Sequence, residues 1–263
     1  MGEWAFACSF FLVRVPVHHT IRKWKKIDIT GFGMVCVPVH DTIRCGRMEK
    51  TQRKEVIHMD SIIFDLDGTL WNPLDVSVAV WNRVLADNGV DEMLSKDDLR
   101  GIMGLQADQV GEKLFPHLSK EQCEKLTEES SQLECEYLRK QGGQLYESVE
   151  RVLERLSQKY NLYIVSNCQE GYIESFYEYH GLDSHFVDFE NPGRTGLSKG
   201  ENIQLIMERN DVAKAVYVGD TKGDHEAAKM AGLPFVYAAY GFGDVDEYDY
   251  KLEEFEELLA LFG

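Results

Sequence analysis

Two aspartates separated by a single leucine, Asp65-Leu66-Asp67, follow the short run Ser61-Ile62-Ile63-Phe64 and lead at once into Gly68-Thr69-Leu70. The run reads as a buried strand and the Gly-Thr pair as the turn that ends it. Acids at i and i+2 of an extended segment point to the same side and leave the peptide between them accessible. In one small volume such a pair can supply a nucleophile, a proton donor and ligands for a divalent cation. An idle pair of turn acids is the weaker reading, because carboxylates crowded at a strand end repel one another unless a cation joins them.

Other polar groups follow later strand-like runs. Leu162–Val165 is followed by Ser166-Asn167, and Ala215–Val218 by Gly219-Asp220-Thr221-Lys222-Gly223-Asp224; between them, Lys199 opens a helical segment after Gly196–Ser198. Ligands of open parallel sheets bind at the carboxyl ends of the strands, which makes these groups candidates for one site. Singly, each has an ordinary explanation: a Ser-Asn turn or cap, a solvated lysine, acids at a helix N-terminus. Together with Asp65 and Asp67 they point to a site.

The elements that must position them alternate between strand and helix from Asp60 onward. After the first strand comes helical text, Val76–Asn88, Lys96–Ile102, Asp108–Leu114 and Lys120–Lys140, punctuated by Asn88-Gly89, Pro116 and Gly142-Gly143. Helices are expected next over Tyr146–Lys159, Tyr172–His180, about Gly200–Asn210, Asp224–Ala231 and Leu252–Leu261. Strands are expected at Leu162–Val165, near Phe186–Phe189, at Ala215–Val218 and at Phe235–Ala238. The pattern predicts an α/β fold: a parallel sheet with helices on both faces, residues 60–72 and 142–263, carrying an inserted all-helical segment, residues 73–141. Gly101 and Gly104 interrupt the helical text, so the turn from Arg100 to Gln106 is expected to face the catalytic loops. The aromatic helix Tyr172–Tyr179 is read as packing only.

The ordered motifs Asp65-Leu-Asp67-Gly-Thr69, Ser166-Asn167, Lys199 and Gly219-Asp220-Thr-Lys-Gly-Asp224 resemble the haloacid dehalogenase (HAD) superfamily, specifically its phosphoglycolate-phosphatase-like branch with a helical cap after the first motif. The resemblance covers about residues 60–263. It implies a Rossmann-like core and a Mg²⁺-dependent phosphatase that hydrolyses a small phosphomonoester through an aspartyl phosphate. In that scheme Asp65 is the nucleophile, Asp67 the acid and base, Ser166 a hydroxyl on the transferring phosphoryl group, and Lys199 the cation that offsets its charge. Asp220 and Asp224, with Asp65 and the Asp67 carbonyl, would hold Mg²⁺. Asp67 would be kept protonated by neighbouring carboxylates. Ser166, Asn167, Thr69, Arg100 and Gln106 are the expected substrate contacts. Asp67 argues against dehalogenation, since halide needs no proton. Thr69 favours phosphatases over β-phosphoglucomutase-like sugar phosphomutases, the alternative within the family. A non-catalytic HAD-fold binding protein would be expected to lack Asp65, Asp67 or Lys199, and all are present.

Composition narrows the class further. With 263 residues, 44% hydrophobic and 28% charged, the chain can bury a sizeable core. The net charge of −17 divides into +5 over residues 1–59 and −22 over residues 60–263. An acidic body argues against nucleic acid or an anionic membrane as partner, and an anionic substrate then needs a local cation. The expected partner is a small phosphorylated metabolite, with monomer and dimer left open. Six cysteines without a CxxC pair, and no apolar run of membrane-spanning length, suggest a cytoplasmic protein. Residues 1–59 differ in kind: Val15–Arg22 and Val37–Arg44 nearly repeat, and His18, His19 and His40 lack partners at zinc-like spacing. This segment is expected to be an appendage or the product of a start called too early, with Met48 or Met59 as the beginning.

Overall fold

The computed structural model describes residues 59–263, together with the backbone of residues 24–29 and 33–38. The histidines His18, His19 and His40 and the expected alternative start at Met48 lie outside the described residues. The chain divides into two units, Met1–Glu55 and Val56–Gly263. In the first, strand β1 (Trp24–Ile29) pairs antiparallel with β2 (Gly33–Pro38), Trp24 opposite Pro38 and Ile29 opposite Gly33.

The second unit begins with β3 (Ser61–Phe64) and β4 (Trp71–Asn72). Four helices follow without an intervening strand: α1 (Leu74–Asp87), α2 (Lys96–Arg100), α3 (Ala107–Leu114) and α4 (Lys120–Gln141). The chain then runs through β5 (Gln144–Leu145), α5 (Val149–Leu156), β6 (Asn161–Val165), α6 (Tyr172–His180), β7 (Asp188–Glu190) and α7 (Pro192–Thr195). It ends with α8 (Lys199–Arg209), β8 (Ala215–Gly219), α9 (Lys222–Ala231), β9 (Phe235–Ala238), β10 (Tyr250–Leu252) and α10 (Leu258–Phe262).

Six of these strands form one parallel sheet in the order β10-β9-β8-β3-β6-β7. The first strand of the sheet in sequence, β3, is therefore central, and the chain reaches β6 on one side and β8 on the other. Such a reversal of direction opens a crevice at the carboxyl ends. Alternate residues feed opposite faces. Ile62, Phe64, Leu162, Ile164, Val216 and Val218 pack with Val152 and Leu156 of α5 and Phe176 of α6. Ile63, Tyr163, Val165 and Tyr217 pack with Ile203 and Ile206 of α8 and Ala227 and Ala228 of α9. Burial on both faces explains why these strands read as continuous apolar runs rather than as alternation.

The expected fold class is found: an α/β parallel sheet with helices on both faces and an inserted helical cap. The cap has its own core, in which Trp81, Leu85, Leu99, Phe115 and Leu126 meet. Its two connections to the sheet pair with each other, Trp71 opposite Leu145 and Asn72 opposite Gln144. That pairing shortens the helix expected over Tyr146–Lys159 to Val149–Leu156, because the returning chain is held extended beside the outgoing one. At the other end, the expected helix Leu252–Leu261 begins only at Leu258. Leu252 instead closes the edge strand β10, opposite Ala238 of β9, a tertiary pairing that overrides local preference. Among the described residues no helix is long and apolar enough to cross a membrane.

Phe115 is fully buried in the cap core. Phe115→Ala is expected to lower stability by about 3–5 kcal/mol, measured as a fall in the urea midpoint of unfolding followed by circular dichroism.

Candidate active site

The site starts one residue past β3. The Asp65 N–H donates to the Val218 carbonyl at 2.8 Å, which extends the strand pairing by one bond and fixes the carboxylate at the sheet's carboxyl edge. Ser198 caps α8, its hydroxyl accepting from the Glu201 N–H, so that Lys199 is the first helical residue. Lys199 Nζ donates to Asp65 Oδ1 at 3.0 Å and to Asp224 Oδ1 at 2.6 Å. All three groups are buried. Burial alone would pull the Lys199 ammonium down, but Asp224 and Asp65 outweigh it and raise its pKa above the ordinary lysine value. Burial, then the charge of Asp224, raises Asp65 to about 6, against the opposing pull of Lys199 and a hydrogen bond from Ser166. Near neutral pH the amine is thus charged and Asp65 largely ionised.

Asp224 holds the loop after β8 in shape. Its Oδ2 accepts from the Asp220 N–H at 3.1 Å, the Thr221 N–H at 2.9 Å and the Thr221 hydroxyl at 2.7 Å, and the Thr221 hydroxyl caps α9. Asp220, fully buried, accepts from the Phe242 N–H at 2.7 Å. Asp65, Asp220 and Asp224 each present an oxygen, all within 4.8 Å of one another. Burial and then the charges of Asp224 and Asp65 push Asp220 well above the usual carboxylate range. Three buried carboxylates around one ammonium form an anionic, all-oxygen donor set, which fits a hard divalent cation. Asp224 accepts five hydrogen bonds over its two oxygens against two at Asp220, so Asp65 and Asp220 are the freer ligands and Asp224 is placed to orient them.

Asp67 is set apart from that cluster. Its Oδ1 accepts from Trp71 Nε1 at 2.7 Å and from the Tyr172 hydroxyl at 3.0 Å. Its carboxylate lies outside the three-acid set, leaving its main-chain carbonyl as its expected contact to a metal. Asp67 is raised to about 7, first by burial and second by the charge of Asp65. The expected neighbouring carboxylates thus contribute to the shift, but desolvation is the larger cause. Tyr172 also corrects the reading of its helix as packing only: the first residue of α6 reaches the sheet's active edge.

A cavity of about 340 Å³ opens between the sheet edge and the cap, with Asp67, Asn167 and Gln106 among its walls. The Arg100–Gln106 turn does face the catalytic loops. Asn167 Nδ2 donates to the Gly104 carbonyl at 2.9 Å, and Gly104 at φ +79° lies against Thr221. Of the expected substrate contacts, Gln106 and Asn167 line this space and Ser166 is buried beside Asp65. Two fall elsewhere. Thr69 is fully buried and its hydroxyl donates to Asp220 Oδ1 at 3.5 Å, so it steadies a carboxylate. Arg100 lies over the Phe242 ring at 5.9 Å and does not line the cavity, because a guanidinium stacks readily on an aromatic face. Nothing in the linear chain marks Tyr172, Trp71 or the Phe242 N–H as part of the site; each acts through a contact that only folding creates.

The family model for haloacid dehalogenase-like hydrolases matches residues 62–238. A phosphoglycolate phosphatase of Synechococcus elongatus is 32% identical over 190 residues, 71% of this chain and 86% of that protein. One of Vibrio parahaemolyticus is 29% identical over 221 residues, 76% of this chain and 94% of that protein. A haloacid dehalogenase-like family hydrolase from Streptococcus pneumoniae superposes with a TM-score of 0.67 at 24% identity, covering 78% of this chain and 99% of that one. The chain belongs to the haloacid dehalogenase-like hydrolases, as a hydrolase of the phosphatase type.

Gly68, between the two acids' loop and Asp220, has φ +80°, and a Cβ there would overlap the Asp220 carboxylate. Gly68→Ala is expected to keep the far-ultraviolet spectrum of the folded chain and to lower turnover roughly 100-fold, as displacement of a site group by about 1 Å does. Steady-state kinetics on any accepted substrate checks it.

Proposed function

We propose that the protein is a Mg²⁺-dependent phosphatase that hydrolyses a small phosphomonoester through an aspartyl phosphate on Asp65. The observation that carries this reading is the placement of Asp65 beside Lys199 and the Asp220/Asp224 pair at the carboxyl edge of the central strand, with Asp67 on a separate support. The similarity to phosphoglycolate phosphatases supports it.

In the first half-reaction an Asp65 oxygen attacks phosphorus, and the bond to the leaving alkoxide breaks. Lys199 lies where it offsets the charge that two anions bring together, and the Ser166 hydroxyl is beside the attacking carboxylate. Asp67, protonated, gives its proton to the leaving oxygen. In the second half-reaction Asp67, now ionised, takes a proton from water as the water attacks the phosphoryl group, and Asp65 is released. Trp71 and Tyr172 fix which Asp67 oxygen is tied down, leaving Oδ2 for the proton. Asp65, Asp220 and the Asp67 carbonyl, steadied by Asp224, would hold Mg²⁺, which when bound supplies charge neutralisation between nucleophile and phosphate. The boundaries follow the same reading: residues 60–72 and 142–263 are the catalytic core, and residues 73–141 are the cap. The paired connections and the separate cap core support that division. A cytoplasmic location is in keeping with free thiols at Cys123, Cys135 and Cys168.

Hydrolysis of p-nitrophenyl phosphate tests the reading. Activity is expected with Mg²⁺, to be lost on chelation and to return on adding the ion back. Asp65→Asn is expected to abolish it, and an active Asp65→Asn would overturn Asp65 as nucleophile. Asp67→Ala is expected to slow alkyl phosphates by about 10²–10⁴-fold, the usual contribution of a positioned proton donor, and aryl phosphates, whose leaving groups need less protonation, clearly less. Equal losses on both would show that Asp67 does not move the proton.

A further inference from the structure

One face of α4 is polar where a cap helix would be expected to be apolar. Thr127, Ser130, Ser131 and Glu134, at i, i+3, i+4 and i+7, share that face and line the cavity above the site. The Thr127 and Ser130 hydroxyls are buried and have no hydrogen-bond partner. Asn167 Oδ1, on the sheet side of the same cavity, is likewise buried and unpartnered. Unpaired buried polar atoms are costly and native structures keep few of them, so three around one cavity are groups waiting for a ligand's hydrogen bonds.

The charges on the walls are of one sign. Glu134 is held from both sides, accepting from the Ser77 hydroxyl at 2.5 Å and from Gln169 Nε2 at 3.3 Å. Among the described residues the other acidic wall group is Asp67, which carries its proton in the proposed first half-reaction, and no lysine, arginine or histidine lines the cavity. Glu134 is near enough for its charge to add to the upward shift of Asp67. A leaving group bearing a carboxylate would be desolvated beside the Glu134 carboxylate with no cation on the described walls to receive it, and like-charge juxtaposition of that kind is unfavourable. Hydroxyls suit the walls better. The Thr127 and Ser130 hydroxyls can donate and accept, Asn167 Oδ1 and Glu134 accept, and each hydroxyl of a polyol does both. Trp81, Leu99 and Ile102 supply apolar wall for a carbon backbone.

We infer that the cap cavity selects phosphomonoesters whose leaving group is an uncharged polyol, with Thr127, Ser130, Asn167 and Glu134 as the selecting residues, and that it disfavours carboxylate-bearing substrates such as 2-phosphoglycolate. The inference rests on the phosphatase reading and goes beyond it by assigning the leaving-group class.

Two matched pairs of substrates isolate the charge: glycerol 3-phosphate against 3-phosphoglycerate, and 2-hydroxyethyl phosphate against 2-phosphoglycolate. Wild-type enzyme is expected to favour the hydroxyl member of each pair by on the order of 100-fold in kcat/KM. Glu134→Gln is expected to reduce that ratio about tenfold by removing one repelling charge. Thr127→Val, close to isosteric, is expected to lower kcat/KM for glycerol 3-phosphate by roughly three- to tenfold, one hydrogen bond's worth. Equal or greater activity on the carboxylate members would overturn the inference while leaving the phosphatase reading intact. So would a preference for 2-aminoethyl phosphate over 2-hydroxyethyl phosphate, which would assign the acidic walls to a cation. Were no phosphomonoester turned over by wild-type enzyme, both readings would fall together. The wild-type comparison stands even where a variant fails to fold.

Discussion

A buried ammonium shared between two buried carboxylates organises this protein. Lys199 joins Asp65 at the end of the central strand to Asp224 at the start of α9, and so ties together three segments far apart in sequence. Charges taken out of water are stable only when each is paired and hydrogen-bonded, and removal of one partner leaves the others exposed to a low-dielectric interior. The cluster is incompletely neutralised: Asp65, Asp220 and Asp224 outnumber the single lysine. Burial first, and that surplus of negative charge second, raises the Asp65 and Asp220 pKa values, and the surplus fits the site for a divalent cation. Structural tension and catalytic capacity are the same electrostatic fact.

The remainder of the fold can be understood as support for that cluster. The sheet reverses direction at β3, so the loops after β3, β6 and β8 converge on one edge. Helix caps then set the register of the reactive groups, Ser198 for Lys199 and Thr221 for Asp224. The second acid is kept distinct by different means. Trp71 and Tyr172 tie the Asp67 carboxylate outside the three-acid cluster, and burial together with the Asp65 charge leaves it near a pKa of about 7 while Asp65 stays near 6. Two aspartates two residues apart thereby acquire different proton affinities through their surroundings alone, as the proposed division of tasks requires.

The cap divides its surfaces between a core and the cavity. Its apolar side closes on Trp81, Leu99 and Phe115, and its polar α4 stripe faces the cavity. Contacts such as Asn167 with Gly104 and Gln169 with the Ser131 carbonyl join it to the loops at the sheet's carboxyl edge, so the cavity walls and the acid cluster are mechanically linked.

Much of the core was legible in the linear chain. Buried parallel strands leave uninterrupted apolar runs, and Asp65, Asp67, Ser166, Lys199, Asp220 and Asp224 each stand directly at the end of a strand or the start of a helix, where local pattern alone fixes their place. Boundaries failed where long-range pairing decided them: Gln144–Leu145 became a strand by meeting Trp71–Asn72, and Leu252 by meeting Ala238. The polar stripe of α4 was present at helical spacing, yet nothing in the sequence distinguishes a stripe facing a cavity from one facing water. Likewise Tyr172 reads as an ordinary aromatic until folding carries its hydroxyl to Asp67 across 105 residues of chain. Residue type and local spacing determined which groups could react; which of them share a dry volume, and with what neighbours, was settled by tertiary packing, because burial and charge proximity are properties of the assembled whole.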